Sequence, residues 1–311
     1  MIYKKNRDTL LKDIRAINAY YKPLVLTLFL LLVTSVHVLA KPLDFTTKEV
    51  KFVSSGDTLA GTILKPEHPV AALVIVHGSG QEKRMMKWAT LLAQNGIAVL
   101  TYDKRGVGES GGVYAGPEVG TNNVDAANLN LLSLDASAAV NALKKDLSDK
   151  HIQIGLIGGS QAGWIIPLTA RKNNNVRFMT IFSGALVTVR EQLRFQFYTN
   201  NDRSFWDTHT EEDARQHILN DPDKYQFTDT DPLPTLFELS IPGLWIYGGK
   251  DIQVPAQLSI EHLKTLQSKN NRYEYQLFPD LGHNTAFAKN QEPVEAVIKW
   301  IKTLKSSTKK K

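Results

Sequence analysis

Cysteine is absent from this sequence of 311 residues. Its absence excludes disulfides, a thiol nucleophile, cysteine-ligated zinc and a lipid-modified N-terminal cysteine. It does not by itself indicate a redox compartment. Internal repeats are absent as well, and the only low-complexity segment is the lysine-rich tail after Lys305.

The chain carries little net charge outside its first residues. The formal net charge is +6, but residues 1–22 contain six Lys or Arg and two Asp, so residues 23–311 carry only +2. Because this nearly neutral part has no stripe of Lys or Arg, we expect no nucleic-acid partner. The composition, 42% hydrophobic and 22% charged, is that of an ordinary globular protein with a full core.

The N-terminal segment has the pattern of a targeting signal. A basic part ends at Lys22, and the uncharged run "PLVLTLFLLLVTSVHVLA", residues 23–40, ends in the small residues expected before a signal-peptidase cut. We predict that residues 1–40 are a signal peptide and that residues 41–311 are exported, either periplasmic or secreted. The alternative is an uncleaved anchor in the inner membrane, because 18 uncharged residues just span a bilayer. Polar residues confine the strongly apolar centre to residues 24–33, which favours cleavage.

Strand-like and helix-like segments alternate from Lys41 onward. The runs on either side of Gly56-Asp57 are typical of a β-hairpin. Six further runs predict strands: "VAALVIVHG", "IAVLTYD", "IQIGLIG", "VRFMTIFSG", "IPGLWIYGG" and "RYEYQLFP". The first of them is continuously apolar, as a strand buried on both faces requires. Helices are predicted at residues 85–94, 124–146, 161–171, 255–268 and 292–304. The alternation predicts an α/β fold in three layers, with helices on both faces of a mostly parallel eight-stranded sheet.

Residues 185–239 interrupt this alternation. An insertion between two strands lies at an end of the sheet, so we predict a helical cap here. The cap contains five aromatic side chains, which could pack it against the body, line a substrate pocket, or do both: Phe195, Phe197, Tyr198, Phe205 and Trp206.

Ser160 stands among small residues in "IGLIGGSQAGW", between a predicted strand and a predicted helix. A serine on such a sharp turn has a strained backbone, and the residues two before and two after it must be small. Gly158 and Ala162 meet this requirement, although Ala162 departs by one methyl group from G-x-S-x-G. The pattern predicts a nucleophilic serine. The alternative is a glycine-rich turn with a serine that caps the helix.

A nucleophilic serine needs a base, and the base needs a carboxylate to orient it. Asp251 in "YGGKDIQVP" and His283 in "FPDLGHN" each follow a predicted strand, in the order that a serine on this turn requires. We predict that Ser160, His283 and Asp251 form a catalytic triad. Taken singly, Asp251 also fits a turn aspartate and His283 a loop histidine. Asp280 is a rival acid, but three residues from His283 it is poorly placed to reach the far ring nitrogen.

The stretch "HGSG", residues 77–80, directly follows a predicted buried strand. Attack on a carbonyl creates an oxyanion that needs backbone N–H donors. Gln161, at the start of a predicted helix, is one candidate donor for this oxyanion hole, and Ser79 is the other. A simple strand-ending turn is the alternative. We predict that His77 braces the loop, because His283 already has the position of the base.

The stretch "GVGESG", residues 106–111, matches the dinucleotide-binding pattern G-x-G-x-x-G. That pattern requires a helix that begins inside the glycines, whereas further glycines and Pro117 follow here. We therefore predict no nucleotide cofactor. Asp103 and Arg105 are predicted to brace this loop.

Five motifs together, "HGSG", "YDKRGVGES", "GGSQAGW", "YGGKD" and "LGHN", resemble those of bacterial α/β-hydrolases in the broad group of serine aminopeptidase-like hydrolases and carboxylesterases. The resemblance covers about residues 46–305 and is weakest in the predicted cap. It implies the triad Ser160, Asp251 and His283, with neither a metal nor a dissociable cofactor. Such motifs specify the fold much better than the substrate.

These observations predict a serine hydrolase that cleaves small-molecule esters with small to medium acyl groups through an acyl-enzyme intermediate. An aminopeptidase or thioesterase with the same triad is an alternative. A peptidase would need an acidic cluster to bind a substrate amine, and Glu211, Glu212 and Asp213 are candidates by composition alone. A catalytically inactive α/β-hydrolase scaffold that binds a ligand or partner is an alternative from another class, but it has no need of all three triad groups.

Overall fold

The computed structural model describes residues 45–149, 151–222 and 226–307. The predicted signal peptide, residues 1–40, lies outside these ranges. In this part of the chain there are eight strands: β1 Phe45–Ser54, β2 Asp57–Pro66, β3 Ala71–Val76, β4 Ile97–Tyr102, β5 Ile154–Gly159, β6 Val176–Phe182, β7 Gly243–Gly248 and β8 Tyr273–Phe278.

The strands form one sheet in the order β1-β2-β4-β3-β5-β6-β7-β8. β2 pairs with β1 and β4 antiparallel, and every pair from β4 to β8 is parallel. The predicted hairpin is confirmed, and it turns at Ser55 and Gly56, whose φ angles of 48° and 87° suit a two-residue hairpin turn. The prediction of a mostly parallel eight-stranded sheet is therefore confirmed.

Helices cover both faces of the sheet. The described residues contain nine α-helices: α1 Met86–Gln94, α2 Ala126–Asp146, α3 Ala162–Lys172, α4 Val189–Thr199, α5 Phe205–Thr208, α6 Glu211–Asn220, α7 Pro232–Glu238, α8 Ala256–Gln267 and α9 Glu292–Ser307. One apolar core joins the sheet to α1 and α9, and a second joins it to α2, α3 and α8. Because helices cover both of its faces, β3 is buried along its whole length, which explains its continuous apolar sequence.

The segment 185–239, predicted to be a helical cap, contains α4 to α7. It has a small apolar core of its own: Phe195, Phe205, Ala214 and Ile218. The ring of Trp206 stacks on that of Phe195, with centroids 6.0 Å apart, whereas Phe197 is 62% exposed. Phe195, Tyr198, Phe205 and Trp206 therefore pack against one another within the segment.

The carboxyl ends of the parallel strands meet at one edge of the sheet, where α/β proteins bind their ligands. Residues 77–80 follow β3 there, Ser160 follows β5, Asp251 follows β7 and His283 follows β8. Within the described ranges, no helix has the length and apolar character needed to cross a membrane.

Candidate active site

Ser160 lies on a sharp turn between β5 and α3. Its φ angle of 56° is in the left-handed region that residues with a side chain rarely adopt. The main-chain N–H of Ser160 donates to the carbonyl oxygen of Phe182 at 3.0 Å, which holds the turn against β6. Ser160 therefore has the strained backbone that is expected of a serine on a sharp turn between a strand and a helix.

Steric crowding explains the small residues around this serine. A Cβ atom at Gly158 would lie 2.5 Å from the carbonyl oxygen of Val76 and 2.7 Å from the Cβ atom of Ala162. A Cβ atom at Gly163 would lie 2.8 Å from the Cα atom of Gly184. The methyl group of Ala162 is itself buried, and it fits because position 158 has no side chain.

Asp251 and His283, from separate loops, are joined by a hydrogen bond. His283 Nδ1 lies 2.9 Å from Asp251 Oδ2 and 3.2 Å from Oδ1. The buried carboxylate also accepts from the main-chain N–H groups of Gln253 at 2.7 Å and Val254 at 2.9 Å. Because the ionised carboxylate only accepts, it holds the proton on Nδ1 and leaves Nε2 as the nitrogen that can take a proton.

Ser160 and His283 line the same cavity, of about 210 Å³, together with Ser79. The Ser160 hydroxyl makes no hydrogen bond with any residue that the structure describes, so it is open to this space. The hydrogen bond between a nucleophile and its base is often long before substrate binds. Much of the remaining wall is apolar or aromatic: Met85, Trp88, Phe182, Ala286 and Phe287.

A second cavity, of about 500 Å³, meets the first at Ser160 and is lined by both Ser79 and Gln161. The main-chain N–H groups of Ser79 and Gln161 donate to no described residue. By contrast, the N–H of Gly78 donates to Glu82 Oε2 at 2.8 Å. Gln161 immediately precedes α3, so its N–H lies at the positive end of that helix. Among the described residues, the two N–H groups named from the sequence therefore have no acceptor, and Ser79 and Gln161 line the same cavity as the serine.

Lys104, which no sequence pattern singled out, holds the loop at residues 77–80. Its buried Nζ donates to the carbonyl oxygens of Gly78 at 2.6 Å and Gly80 at 3.2 Å, and to Gln161 Oε1 at 3.3 Å. The C=O and N–H of a trans peptide point in opposite directions. The contact with Gly78 O therefore directs the N–H of Ser79 away from the lysine.

Burial shifts the pKa values of Lys104 and of the neighbouring Glu82. Burial lowers the pKa of Lys104 to about 8, although Glu82 and Glu118 act to raise it. Burial also raises the pKa of Glu82, while its bond from Gly78 and the charge of Lys104 lower it. The only sequence signal for Lys104 is a lysine directly after a buried strand, and that signal does not reveal what the ammonium group contacts.

His77 braces its loop, as predicted. Its Nε2 lies 2.7 Å from the carbonyl oxygen of Tyr102, and the two rings pack edge to face with centroids 4.5 Å apart. Burial, with a smaller contribution from the charge of Lys104, lowers the pKa of His77 to about 3. The ring is therefore neutral at physiological pH, and Nε2 is directed at a main-chain oxygen rather than at Ser160.

The loop after β4 is held by the two residues predicted to brace it. Arg105 pairs with Asp135 and Asp57, and Asp103 accepts from the N–H of Glu109 at 2.9 Å. Residues 106–111 form a loop, and the next α-helix begins only at Ala126. The glycines therefore do not open a helix, as a dinucleotide site would require.

The rival groups lie away from Ser160. The Asp280 side chain is 92% exposed and lies 3.6 Å from Lys250 Nζ, so it does not contact His283. Glu211, Glu212 and Asp213 form the first turn of α6, where Asp213 is bonded to Thr210 in a capping box, and none of the three lines either cavity. Across residues 45–149, 151–222 and 226–307, no group of three or more His, Asp or Glu residues could hold a metal ion.

The segment 185–239 holds the loop that carries Asp251. Three of its side chains donate to three successive carbonyl oxygens: Trp206 Nε1 to Asp251 O at 2.9 Å, Thr199 Oγ1 to Ile252 O at 2.5 Å, and Gln192 Nε2 to Gln253 O at 2.7 Å. These contacts link the segment to the main chain of the loop whose Asp251 carboxylate is bonded to His283.

The sequence also matches the profile of a known protein family. The profile of the family described as serine aminopeptidase, S33, matches residues 67–236, just over half of the chain. No curated protein matches the sequence.

Several solved structures are similar. An esterase of Pyrococcus furiosus has a TM-score of 0.62 at 18% identity, over 85% of this chain and 92% of that one. A putative dienelactone hydrolase from Klebsiella pneumoniae has a TM-score of 0.58 at 15% identity, over 83% and 98%. An acylaminoacyl peptidase of Pyrococcus horikoshii has a TM-score of 0.59 at 16% identity, over 86% and 42%. At these identities the likeness shows the α/β-hydrolase fold and nothing finer.

Proposed function

The chain belongs to the serine aminopeptidase S33 family of α/β-hydrolases, and we propose that it is a serine hydrolase that cleaves carboxylic esters of small to medium acyl groups. The observation that carries this proposal is the bond of 2.9 Å between His283 Nδ1 and Asp251, with the ring at the same cavity as the strained Ser160.

In the proposed reaction, the hydroxyl oxygen of Ser160 attacks the ester carbonyl carbon while His283 Nε2 takes the hydroxyl proton. The carbonyl oxygen becomes an oxyanion, which the N–H groups of Ser79 and Gln161 bind. When the C–O bond to the alcohol breaks, the imidazolium returns its proton to the leaving alkoxide. Asp251 keeps the ring in one tautomer and stabilises its positive charge.

Water completes the cycle. His283 removes a proton from a water molecule that attacks the acyl carbon of the acyl-enzyme, and a second oxyanion forms at the same two donors. Its collapse breaks the bond to Ser160, and the serine oxygen regains its proton from His283. The products are the free acid and the regenerated enzyme.

An ester fits the described walls better than an N-terminal peptide. A free α-amino group needs a carboxylate partner, and the described residues that line the cavity of about 500 Å³ include no Asp or Glu. In the cavity of about 210 Å³, Glu82 is the acidic residue, and its Oε2 already accepts from Gly78.

The test uses the full chain and a fluorophosphonate probe, which reacts covalently with an activated serine. We expect labelling of the unaltered chain, none of Ser160→Ala, and full labelling of Ser268→Ala, a serine at the end of α8. An unlabelled chain that is folded by circular dichroism would overturn the proposal and favour the inactive scaffold. A panel of p-nitrophenyl esters and aminoacyl anilides then separates esterase from peptidase, and we expect short to medium esters to have the highest kcat/KM.

A further inference from the structure

The larger cavity at Ser160 has an unusual lining. Nine of its nineteen described lining residues are Asn or Gln, and none of the nineteen is Asp, Glu, Lys or Arg. Its volume of about 500 Å³ falls within the range of about 300–1,000 Å³ for small-molecule sites. We call this space the amide-lined cavity. Such a lining needs an explanation, because ligand sites are ordinarily apolar with only a few polar groups.

Some of the nine amides already have structural roles. Gln161 Nε2 donates to the carbonyl oxygen of Asn123 at 2.8 Å, and Asn123 Nδ2 donates to that of Ser79 at 3.1 Å. Gln192 Nε2 donates to Gln196 Oε1 at 3.0 Å, besides its contact with the loop after β7. These amides hold the walls in place.

Four other amide side chains have no hydrogen-bond partner among the described residues: Asn200, Asn201, Gln226 and Gln253. Asn200 and Asn201 have φ angles of 47° and 57°, a conformation that asparagine tolerates well, so the backbone accounts for their identity. Gln226 is exposed and Gln253 is partly exposed, so their side-chain amides are open to the solvent in the cavity. Gln253 also lines the cavity of about 210 Å³, so its side chain lies where the two cavities meet.

An amide group presents N–H donors and a carbonyl acceptor. A pair of neighbouring hydroxyl groups can bond to both, because each hydroxyl donates one hydrogen bond and accepts others. An alkyl group in this cavity would displace water from these amides without replacing its hydrogen bonds, which is unfavourable. A charged group would find no opposite charge among the described lining residues. An extended peptide is bound mainly by main-chain bonds along a strand edge, and no described lining residue belongs to a strand.

Aromatic rings complete the lining. Phe197, Phe227 and Trp164 line the same cavity, and ring faces pack well against the C–H surfaces of a cyclic polyol. The cavity of about 210 Å³ is small, and Trp88 and Phe182 line it, so it suits a short apolar group. The two spaces therefore fit the two sides of an ester that differ in size and polarity.

We propose, building on the esterase function above, that the substrate is an ester with one short apolar side and one neutral, hydroxyl-rich side of sugar size, and that the hydroxyl-rich side occupies the amide-lined cavity. In a 6-O-acetylated sugar, the hydroxyl-rich side is the alcohol part of the ester. In the methyl ester of a sugar acid with no other charged group, the hydroxyl-rich side is the acyl part. The chemistry that the cavity recognises is the same in both.

The experiment uses the full chain and two pairs of esters matched in size. One pair is 6-O-acetylglucose and cyclohexylmethyl acetate; the other is a methyl ester of a glucopyranoside uronic acid and methyl cyclohexanecarboxylate. Release of acid is followed by titration at constant pH. We expect kcat/KM for the hydroxylated member to exceed that for its partner at least tenfold in one pair, and the pair that responds identifies which side of the ester is recognised.

Variants test whether the amides cause this preference. Gln226→Leu and Gln253→Leu should each lower the ratio of kcat/KM between the two members of the responding pair at least threefold. Gln216→Leu, an amide on α6 outside both cavities, should leave the ratio unchanged. The ratio within each enzyme is insensitive to a partial loss of folded protein.

The outcomes separate this inference from the function on which it rests. Ser160-dependent hydrolysis of p-nitrophenyl acetate with no preference in either pair would overturn the inference and leave the esterase function standing. A preference that neither Gln226→Leu nor Gln253→Leu reduces would also overturn it. Absence of any Ser160-dependent hydrolysis would overturn the proposed function itself.

Discussion

Lys104 Nζ lies 2.6 Å from the carbonyl oxygen of Gly78, and the same peptide carries the N–H of Ser79. A buried cation on one side of this peptide therefore sets the direction of a proposed oxyanion donor on the other side. Gly78 itself lines the smaller cavity together with Ser160.

We expect Lys104→Met to lower kcat about tenfold or more with little change in KM. The loss of one oxyanion donor lowers kcat by a factor of about 10²–10³. A misdirected N–H group should lower kcat by part of that factor. Lys104→Arg should recover little, because the larger planar guanidinium does not fit the space of a compact ammonium group. Steady-state kinetics with p-nitrophenyl acetate measures this. A Lys104→Met enzyme with unaltered kcat would contradict the assigned role.

The pKa of Lys104, lowered to about 8, predicts opposite effects of pH on activity and stability. As pH rises through about 8, the folded protein loses the ammonium charge, and kcat should fall. From about pH 8 to about 10.4, the unfolded chain binds more protons at this residue than the folded protein does. The free energy of unfolding should therefore rise over this range. Kinetics and urea unfolding between pH 7 and 10 test this. Lys104→Met should lack both trends, and their persistence in that variant would assign them to other groups.

Asp251→Asn should lower kcat by about 10⁴ without unfolding the protein, the size of effect that the corresponding change has in a well-known serine protease. The amide oxygen still accepts from the N–H groups of Gln253 and Val254, but the NH₂ group then faces His283 Nδ1 and favours the wrong tautomer. Asp280→Asn, with its exposed side chain, is the control and should keep full kcat. Equal losses in the two variants would reject Asp251 as the triad acid.

Trp206→Phe should lower the free energy of unfolding by about 1 kcal/mol and lower kcat severalfold. The phenyl ring keeps the stacking on Phe195 but removes the bond from the indole N–H to Asp251 O. Trp300→Phe is the matched control, because its indole N–H donates to Glu274 at 2.7 Å, away from both cavities. It should cost similar stability and leave kcat unchanged. If both variants kept full kcat, the insertion would have no part in positioning Asp251.

Export with cleavage after Ala40 remains a proposal about residues that the structure does not describe. N-terminal sequencing of the protein recovered from a bacterial periplasm should find Lys41 as the first residue. Recovery of an uncleaved chain in the inner-membrane fraction would instead identify residues 23–40 as an anchor.

Many features of the fold were predictable from local sequence. The continuous apolar run of β3 indicates burial on both faces, and Asn95-Gly96 ends α1 where the chain needs a positive φ angle at Gly96, +83°. Ser160 was identifiable for a related reason, because a sharp turn between a buried strand and a helix leaves no room for side chains at position 158. Each of these signals depends on residues close together in the chain.

The contacts of Lys104 and the positions of the Gln226 and Gln253 amides at the cavity could not be recognised in this way. Their side chains are ordinary in sequence, and their roles depend on loops that lie next to each other only in the folded chain. For the same reason, the pairing of His283 with Asp251, 32 residues apart, could be predicted only from their order along the chain. The sequence did not show that the two side chains lie within hydrogen-bond distance.

By itself, then, the amino-acid sequence determined the alternation of strands and helices, the small residues of the serine turn and the order of the three reactive groups, because periodicity and steric limits act locally. Only the tertiary structure decided which buried cation holds the loop at residues 77–80, which carboxylate meets His283, and which side chains surround Ser160. Burial and the direction of a hydrogen bond depend on neighbours that are distant in sequence. These neighbours come together only when the strands pair and their carboxyl ends lie side by side.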